Sequence, residues 1–147
     1  MRQAHPEQFF SEDEKKRLVS AVQSAEKQTS GEIKVHLQKK CSGDPMGEAK
    51  QVFEKLGMTN TEQRNGILFF LSLEDRRFVI LGDIGIHEKV KDDFWHAIRN
   101  RVLDHFKKGE FIEGLEAGIK KCGEELGEYF PYEKKDQNEL SDDISVS

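Results

Sequence analysis

The chain has 147 residues, of which 35% are hydrophobic and 35% charged, and its formal net charge is −5. This length predicts a single domain with a sizeable core, and the acidic balance argues against nucleic acid as a partner. No stretch approaches the roughly 20 apolar residues of a membrane span, and residues 1–7 lack the apolar core of a signal peptide. We therefore expect a cytoplasmic protein with no membrane span.

Residues 1–8 are polar and are predicted to form a loose N-terminus that precedes a first helix. Ser11 and Glu14 have the spacing of a capping box, in which the hydroxyl and the carboxylate each accept a backbone N–H of the first turn. The helix then places four apolar residues on one face: Leu18, Ala21, Val22 and Ala25. A domain is thus predicted to begin at about residue 9.

Residues 31–37 alternate between apolar and polar side chains, which predicts a strand with one buried face and one solvated face. His36 lies on the polar face and is expected to be solvated. Next, Asp44 followed by Pro45 is typical of a helix start, and Gly57 is typical of a helix end. A helix is therefore predicted between the first strand and the second.

The apolar run of residues 67–71 predicts a central strand that is covered on both faces. Residues 78–81 return beside it after a polar turn, as a hairpin. Because a helix connects the first two strands, we expect them to be parallel, so the sheet is mixed. A long helix to Phe106 and a last helix from Phe111 follow, and the acidic tail 131–147 is predicted to be disordered.

Several kinds of catalytic or metal site are excluded by missing motifs. The chain has no phosphate-binding loop, no dinucleotide-binding glycine pattern, no G-x-S-x-G elbow and no H-E-x-x-H pair. Cys41 and Cys122 are far apart in the sequence and cannot form a disulfide framework or a zinc site. We expect both to be reduced thiols, so no covalent nucleophile is visible.

The predicted topology gathers polar residues at one edge of the sheet. The start of the first strand, the start of the second and the end of the third share that edge, and they carry Glu32, Asn65 and Asp83. His87 and the pair Asp92–Asp93 follow closely in the chain. Oxygen ligands near a helix start could hold Ca²⁺ or Mg²⁺. Alternatively, the two aspartates only favour the positive helix end, and Asp83 only caps a loop amide.

The order and spacing of these elements resemble the TPM domain. The resemblance rests on residues 29–33, on Asn65-Gly66-Ile67-Leu68, on the loop 82–86, and on the later segment 109–119. It covers roughly residues 9–130. It implies an α/β fold, a three-layer α/β/α sandwich around a small mixed β-sheet.

Members of this family have been described as candidate acid phosphatases and as binders of divalent cations, calcium in particular. Others assist photosystem repair or the assembly of membrane receptors. Many relatives have Thr-Asp-Ala after the glycine loop. Here the equivalent is Lys91-Asp92-Asp93, so only the aspartate carries over, to Asp92.

Two functions follow as hypotheses. In the first, the domain binds a divalent cation, with calcium preferred, through Glu32, Asn65, Asp83, Asp92 and Asp93, and serves as an interaction or assembly module for a protein partner. The alternative is a metal-dependent acid phosphatase, in which a metal-bound water attacks a phosphomonoester and His87 or Asp92 acts as a catalytic group.

The side chain of Arg64 discriminates between the two hypotheses. A guanidinium directed at the acidic edge could grip a phosphate with two hydrogen bonds, whereas one directed at solvent would weaken the enzyme hypothesis. The sequence leaves the oligomeric state open.

Overall fold

The computed structural model describes residues 5–132 and 144–147. Its helices are α1 (Glu12–Glu26), α2 (Pro45–Lys55), α3 (Ile84–His87), α4 (Asp92–Phe106) and α5 (Phe111–Tyr129). Its strands are β1 (Glu32–Gln38), β2 (Gly66–Ser72), β3 (Arg77–Gly82) and β4 (Ser145–Val146). The first three strands and the four long helices lie where the sequence predicts them, whereas α3 and β4 were not expected.

The helix ends follow the capping signals in the sequence. The Ser11 hydroxyl accepts a hydrogen bond from the Glu14 amide at 3.1 Å, and the Glu14 carboxylate accepts one from the Ser11 amide at 3.0 Å. The Asp44 carboxylate accepts the Gly47 amide at the start of α2. Gly57 closes the turn after α2 with a φ of 71°, a conformation that costs glycine little.

The sheet has the strand order β3-β2-β1-β4. Strand β1 is parallel to β2, with Glu32 opposite Gly66, and β2 is antiparallel to β3, with Ile67 opposite Gly82. The mixed sheet is therefore confirmed. This register brings the start of β1, the start of β2 and the end of β3 to one edge, as the predicted topology requires.

Helices cover both faces of the sheet, which confirms the three-layer sandwich. Helices α1, α4 and α5 pack on one face with the apolar residues Ile33, Val35 and Leu37 of β1. Helix α2 packs on the other face, against Leu68 and Phe70 of β2, and is the one helix there among the described residues. The two cores are unequal, since the first holds 23 buried apolar residues and the second holds six.

His36 is buried, and the prediction that it is solvated is wrong. Only 2% of the residue is exposed, and its ring stacks on Phe70 with 5.6 Å between the ring centroids. Its Nδ1 lies 2.8 Å from the Ser145 hydroxyl, and its Nε2 lies 3.0 Å from the Ser147 hydroxyl. Burial lowers the pKa of His36, because the charged form would lose its hydration.

The C-terminal segment covers the edge of β1 at His36. Strand β4 pairs with β1 in parallel, with His36 opposite Ser145, and the Ser147 amide donates to the Leu37 carbonyl at 3.0 Å. The last residues of the tail 131–147, for which disorder was predicted, include β4, and the disorder of the tail stays a prediction. Residues 133–143 and 1–4 lie outside the described part of the chain.

Each cysteine is a free thiol, one in each core. Cys122 on α5 is fully buried, and Cys41 is 8% exposed beneath the start of α2. Burial raises the pKa of both thiols, so neither has the stabilised thiolate of a reactive cysteine. None of the helices in the described residues is both long enough and apolar enough to cross a membrane.

Candidate functional site

The predicted edge contains a bidentate ion pair between Arg64 and Asp83. The Arg64 Nε atom donates to one carboxylate oxygen at 2.7 Å, and a terminal nitrogen donates to the other oxygen at 2.9 Å. Asp83 is only 6% exposed, whereas 47% of the Arg64 side chain is exposed. The carboxylate raises the pKa of the guanidinium, mainly through the hydrogen bonds.

Asp83 also caps helix α3. Its carboxylate accepts the Ile84 amide at 2.7 Å, which is the capping role that the sequence left open as the simpler explanation. The segment 84–87 was expected to be a loop and is instead this one-turn helix. The buried Asp83 carboxylate thus follows the last residue of β3, caps the start of α3 and pairs with the Arg64 guanidinium.

The loop that carries Arg64 is fixed by close backbone contacts. Arg64 has a φ of 52°, a left-handed conformation that is uncommon for a residue with a side chain. Its carbonyl accepts the Gly85 amide at 2.9 Å. A Cβ at Gly85 would collide with the Gln63 and Arg64 carbonyls, so glycine is needed for this approach.

Asn65 and Glu32 lie at the same end of the sheet as Asp83. Both are buried, at 2% and 5% exposure. The Asn65 amide nitrogen donates to the Ser30 hydroxyl at 3.2 Å, and the Gln63 side chain donates to the same hydroxyl at 3.0 Å. The amide nitrogen of Asn65 is therefore committed to Ser30, and its amide oxygen is the atom suited to another partner.

His87 belongs to an aromatic contact. Its ring packs on the Trp95 indole with 4.9 Å between the centroids, and the imidazole is exposed. Trp95 also lies directly over Gly82, where any Cβ would collide with the indole. The hairpin pattern gave no signal for this contact, because the glycine and the tryptophan are on separate elements.

Asp92 and Asp93 are exposed on the first turn of α4. Asp93 lines a separate cleft with Lys89, Lys91 and Glu125, between α4 and α5. No hydrogen bond or ion pair between described residues joins either aspartate to Asp83. Their placement fits the favourable interaction of carboxylates with a helix N-terminus.

Within residues 5–132 and 144–147, no group of three or more His, Cys, Asp or Glu side chains is arranged to hold a metal ion. A hard cation at this edge would share the Asp83 carboxylate with the Arg64 guanidinium. The oxygens fit a cation chemically, but they are occupied by the ion pair.

Comparison with known proteins decides the family. A model of the TPM domain matches residues 4–125 of this chain. The chain belongs to the TPM domain family. No sequence among the curated proteins matches it.

Three solved structures are similar to this TPM domain. The BA42 protein of the psychrophilic bacterium Bizionia argentinensis has 45% sequence identity and a TM-score of 0.93, over 99% of this chain and 100% of that chain. The N-terminal domain of the cg2496 protein from Corynebacterium glutamicum has 15% identity and a TM-score of 0.64, over 94% and 80%. The N-terminal domain of a protein from P. gingivalis has 18% identity and a TM-score of 0.64, over 88% and 82%. The last two show a shared fold only.

Proposed function

We propose that this TPM domain is a binding module and not a hydrolase, and that it recruits a divalent cation, calcium before magnesium, to the Asp83 edge. The observation that carries the proposal is the Arg64–Asp83 pair. A buried carboxylate needs a countercharge, and here a half-exposed guanidinium supplies it. A cation that competes for the same oxygens replaces one countercharge with another and leaves Asp83 buried and neutralised.

The residues at the same end of the sheet as Asp83 suit calcium better than magnesium. Calcium accepts carboxylate, amide and carbonyl oxygens in irregular geometry, whereas magnesium demands a near-ideal octahedron. The amide oxygen of Asn65 and the carboxylate of Glu32 are at the same strand ends. When bound, the cation supplies the positive charge that Arg64 now provides, and Arg64 is released to the surface.

The ion pair also argues against the acid phosphatase hypothesis. Arg64 does point at the acidic edge, but its Nε and one terminal nitrogen are hydrogen-bonded to Asp83. A phosphate gripped by this edge of the guanidinium would have to displace the Asp83 carboxylate. His87 packs on Trp95 and Asp92 lies on α4, so the two candidate catalytic groups share no hydrogen bond with the pair.

The proposal is tested by titrating Ca²⁺ into metal-stripped, ¹⁵N-labelled protein while the backbone amide shifts are followed. We expect saturable shifts at Asn65, Asp83 and Gly85, and weaker binding of Mg²⁺. Arg64→Gln removes the competitor and should tighten Ca²⁺ binding by about tenfold. Asp83→Asn removes the central carboxylate and should abolish the shifts.

Arg76→Gln is the matched control, because Arg76 is exposed and has the same φ of 52°. It makes the same change of charge and leaves the Asp83 edge intact, so Ca²⁺ affinity should stay at the wild-type value. Unchanged amide shifts in both wild-type and Arg64→Gln protein through about 10 mM Ca²⁺ would contradict the cation site. Metal-dependent hydrolysis of p-nitrophenyl phosphate that Asp83→Asn abolishes would favour the phosphatase instead.

A further inference from the structure

No segment within residues 5–132 and 144–147 pairs with the outer edge of β3. The strand order places β3 at one side of the sheet, with β2 as its neighbour. Within the described residues, no backbone hydrogen bond joins β3 to a segment beyond β2. Val79, Ile80 and Leu81 are partly exposed there. A strand with unpaired backbone groups is a template for another strand.

A groove of about 540 Å³ runs along this edge, between the start of α2 and the second half of α4. We name it the β3 groove. Its apolar lining includes Met46, Leu71, Phe78, Val79, Leu103, Phe106 and Phe111. Met46 is 40% exposed, one of the few large apolar side chains at the surface. An apolar floor beside a bare strand suits an extended chain with alternating apolar side chains.

The rim of the β3 groove is basic although the whole chain is acidic. Arg76, Arg77, Arg99 and Lys107 line it, and Asp44 is the single acidic residue among the lining residues. None of the four basic residues is within 4 Å of a carboxylate oxygen of a described residue. Arg77 interacts with the nearby Asp75 carboxylate, whose pKa is lowered by the Ser72 hydroxyl and by Arg77. The positive charge of Arg76, Arg99 and Lys107 can attract a negatively charged occupant.

We propose that the β3 groove binds an extended acidic peptide of a partner protein, which adds as a strand to β3. This gives the binding module proposed above a partner class, but it uses neither Asp83 nor a cation. The backbone of the peptide would pair with β3, its apolar side chains would contact the floor, and its carboxylates would meet the arginines of the rim.

The opposite edge of the sheet already pairs with a short added strand. There β4, a short segment from an acidic tail, pairs with β1. A peptide explains the groove better than a nucleic acid, because single strands need exposed aromatic rings on which bases stack. The aromatic rings that line the groove are those of Phe78, which is buried, and of Phe106 and Phe111, which are only partly exposed.

The test uses a capped heptapeptide that alternates glutamate and valine, titrated into ¹⁵N-labelled protein in the presence of EDTA. We expect saturable amide shifts at residues 77–82 and slower hydrogen exchange in β3. The double variant Arg99→Glu/Lys107→Glu should weaken binding by about tenfold or more, with strong salt dependence in wild-type protein. The control Arg101→Glu/Lys108→Glu changes exposed residues of the same region outside the groove and should bind as wild type does.

Two further peptides test separately how much backbone pairing and peptide charge contribute to binding. A peptide N-methylated at alternate amides keeps its side chains but cannot pair with a strand, so it should not bind. A lysine–valine peptide should not bind either. The proposal is overturned if the N-methylated peptide binds equally well, if the shifts fall at β1 and β4, or if a thymidine octanucleotide binds the groove more tightly. EDTA removes divalent cations, so the peptide titration does not depend on the cation site. Absence of peptide binding would therefore contradict the peptide proposal without bearing on the cation proposal.

Discussion

The two edges of the sheet differ in whether another segment of the described chain pairs with them. On one side, β1 is covered by β4, and the buried His36 is hydrogen-bonded to serine hydroxyls 109 and 111 residues further along the chain. On the other side, β3 ends the sheet with its outer backbone groups unpaired by described residues and with arginines along its rim. An unpaired edge strand is a template for pairing with another chain. Here the C-terminal segment covers the edge of β1, whereas basic side chains line the edge of β3.

The difference teaches that polarity in a strand does not reveal its exposure. The polar face of β1 carries Glu32, Lys34, His36 and Gln38, and all four are buried. Strand β3 is more apolar, yet three of its residues are only partly covered. For His36, the segment that reaches the edge of β1 accounts for the burial.

The largest effect is expected at the end of β3. Gly85→Ala places a Cβ against two backbone carbonyls, which cannot move without displacing the Arg64 loop. We expect a loss of about 2–4 kcal/mol in the free energy of unfolding, measured by urea denaturation. Gly43→Ala is the control, since a Cβ there has no atom within 4 Å, and it should leave stability nearly unchanged. Equal stability of the two variants would show that the loop does not depend on this contact.

A smaller effect is expected at the covered side. Ser145→Ala combined with Ser147→Ala removes two hydroxyl partners of the His36 ring. We expect a loss of about 1 kcal/mol and faster hydrogen exchange of the Ser147 amide. The exposed serines Ser20 and Ser42 provide the control double variant. If both pairs behave alike, β4 is held by its backbone and not by His36.

The smallest effect is a dependence on pH. Because burial lowers the pKa of His36 below its ordinary value of 6.5, the unfolded state binds a proton more readily than the folded state. The stabilisation is therefore complete above pH 6.5 and declines as the pH falls toward the lowered folded pKa. The Ser147 amide shift should report the loosening of β4 below pH 6.5. His96→Asn, at an exposed position, should retain this response, and His36→Asn should lose it.

The sequence predicts well what depends on local signals. The capping box at Ser11, the start of α2 at Asp44 and the hairpin after β2 are each encoded within a few residues. Glu32, Asn65 and Asp83 lie at one end of the sheet because β1 and β2 are parallel. The pattern of apolar residues in the sequence already indicates the helix that connects these two strands. The cation site inferred from that gathering remains a prediction.

Other features depend on segments that meet only in the folded chain. The burial of His36 requires β4, whose two residues carry no strand pattern of their own. The contact of Trp95 with Gly82 joins elements that are separate in the sequence. The capture of Arg64 by Asp83 depends on a left-handed residue that the sequence does not mark. Such contacts require three-dimensional information.

The two cysteines make the unequal cores separately observable. A thiol-modifying reagent can reach Cys122 only when α5 leaves the larger core, whereas Cys41 needs only a local displacement near α2. Their relative labelling rates therefore reveal whether the thin layer opens by itself or only when the entire domain unfolds. The natural sequence thus contains one chemical reporter for each of the two cores, and no engineered label is required.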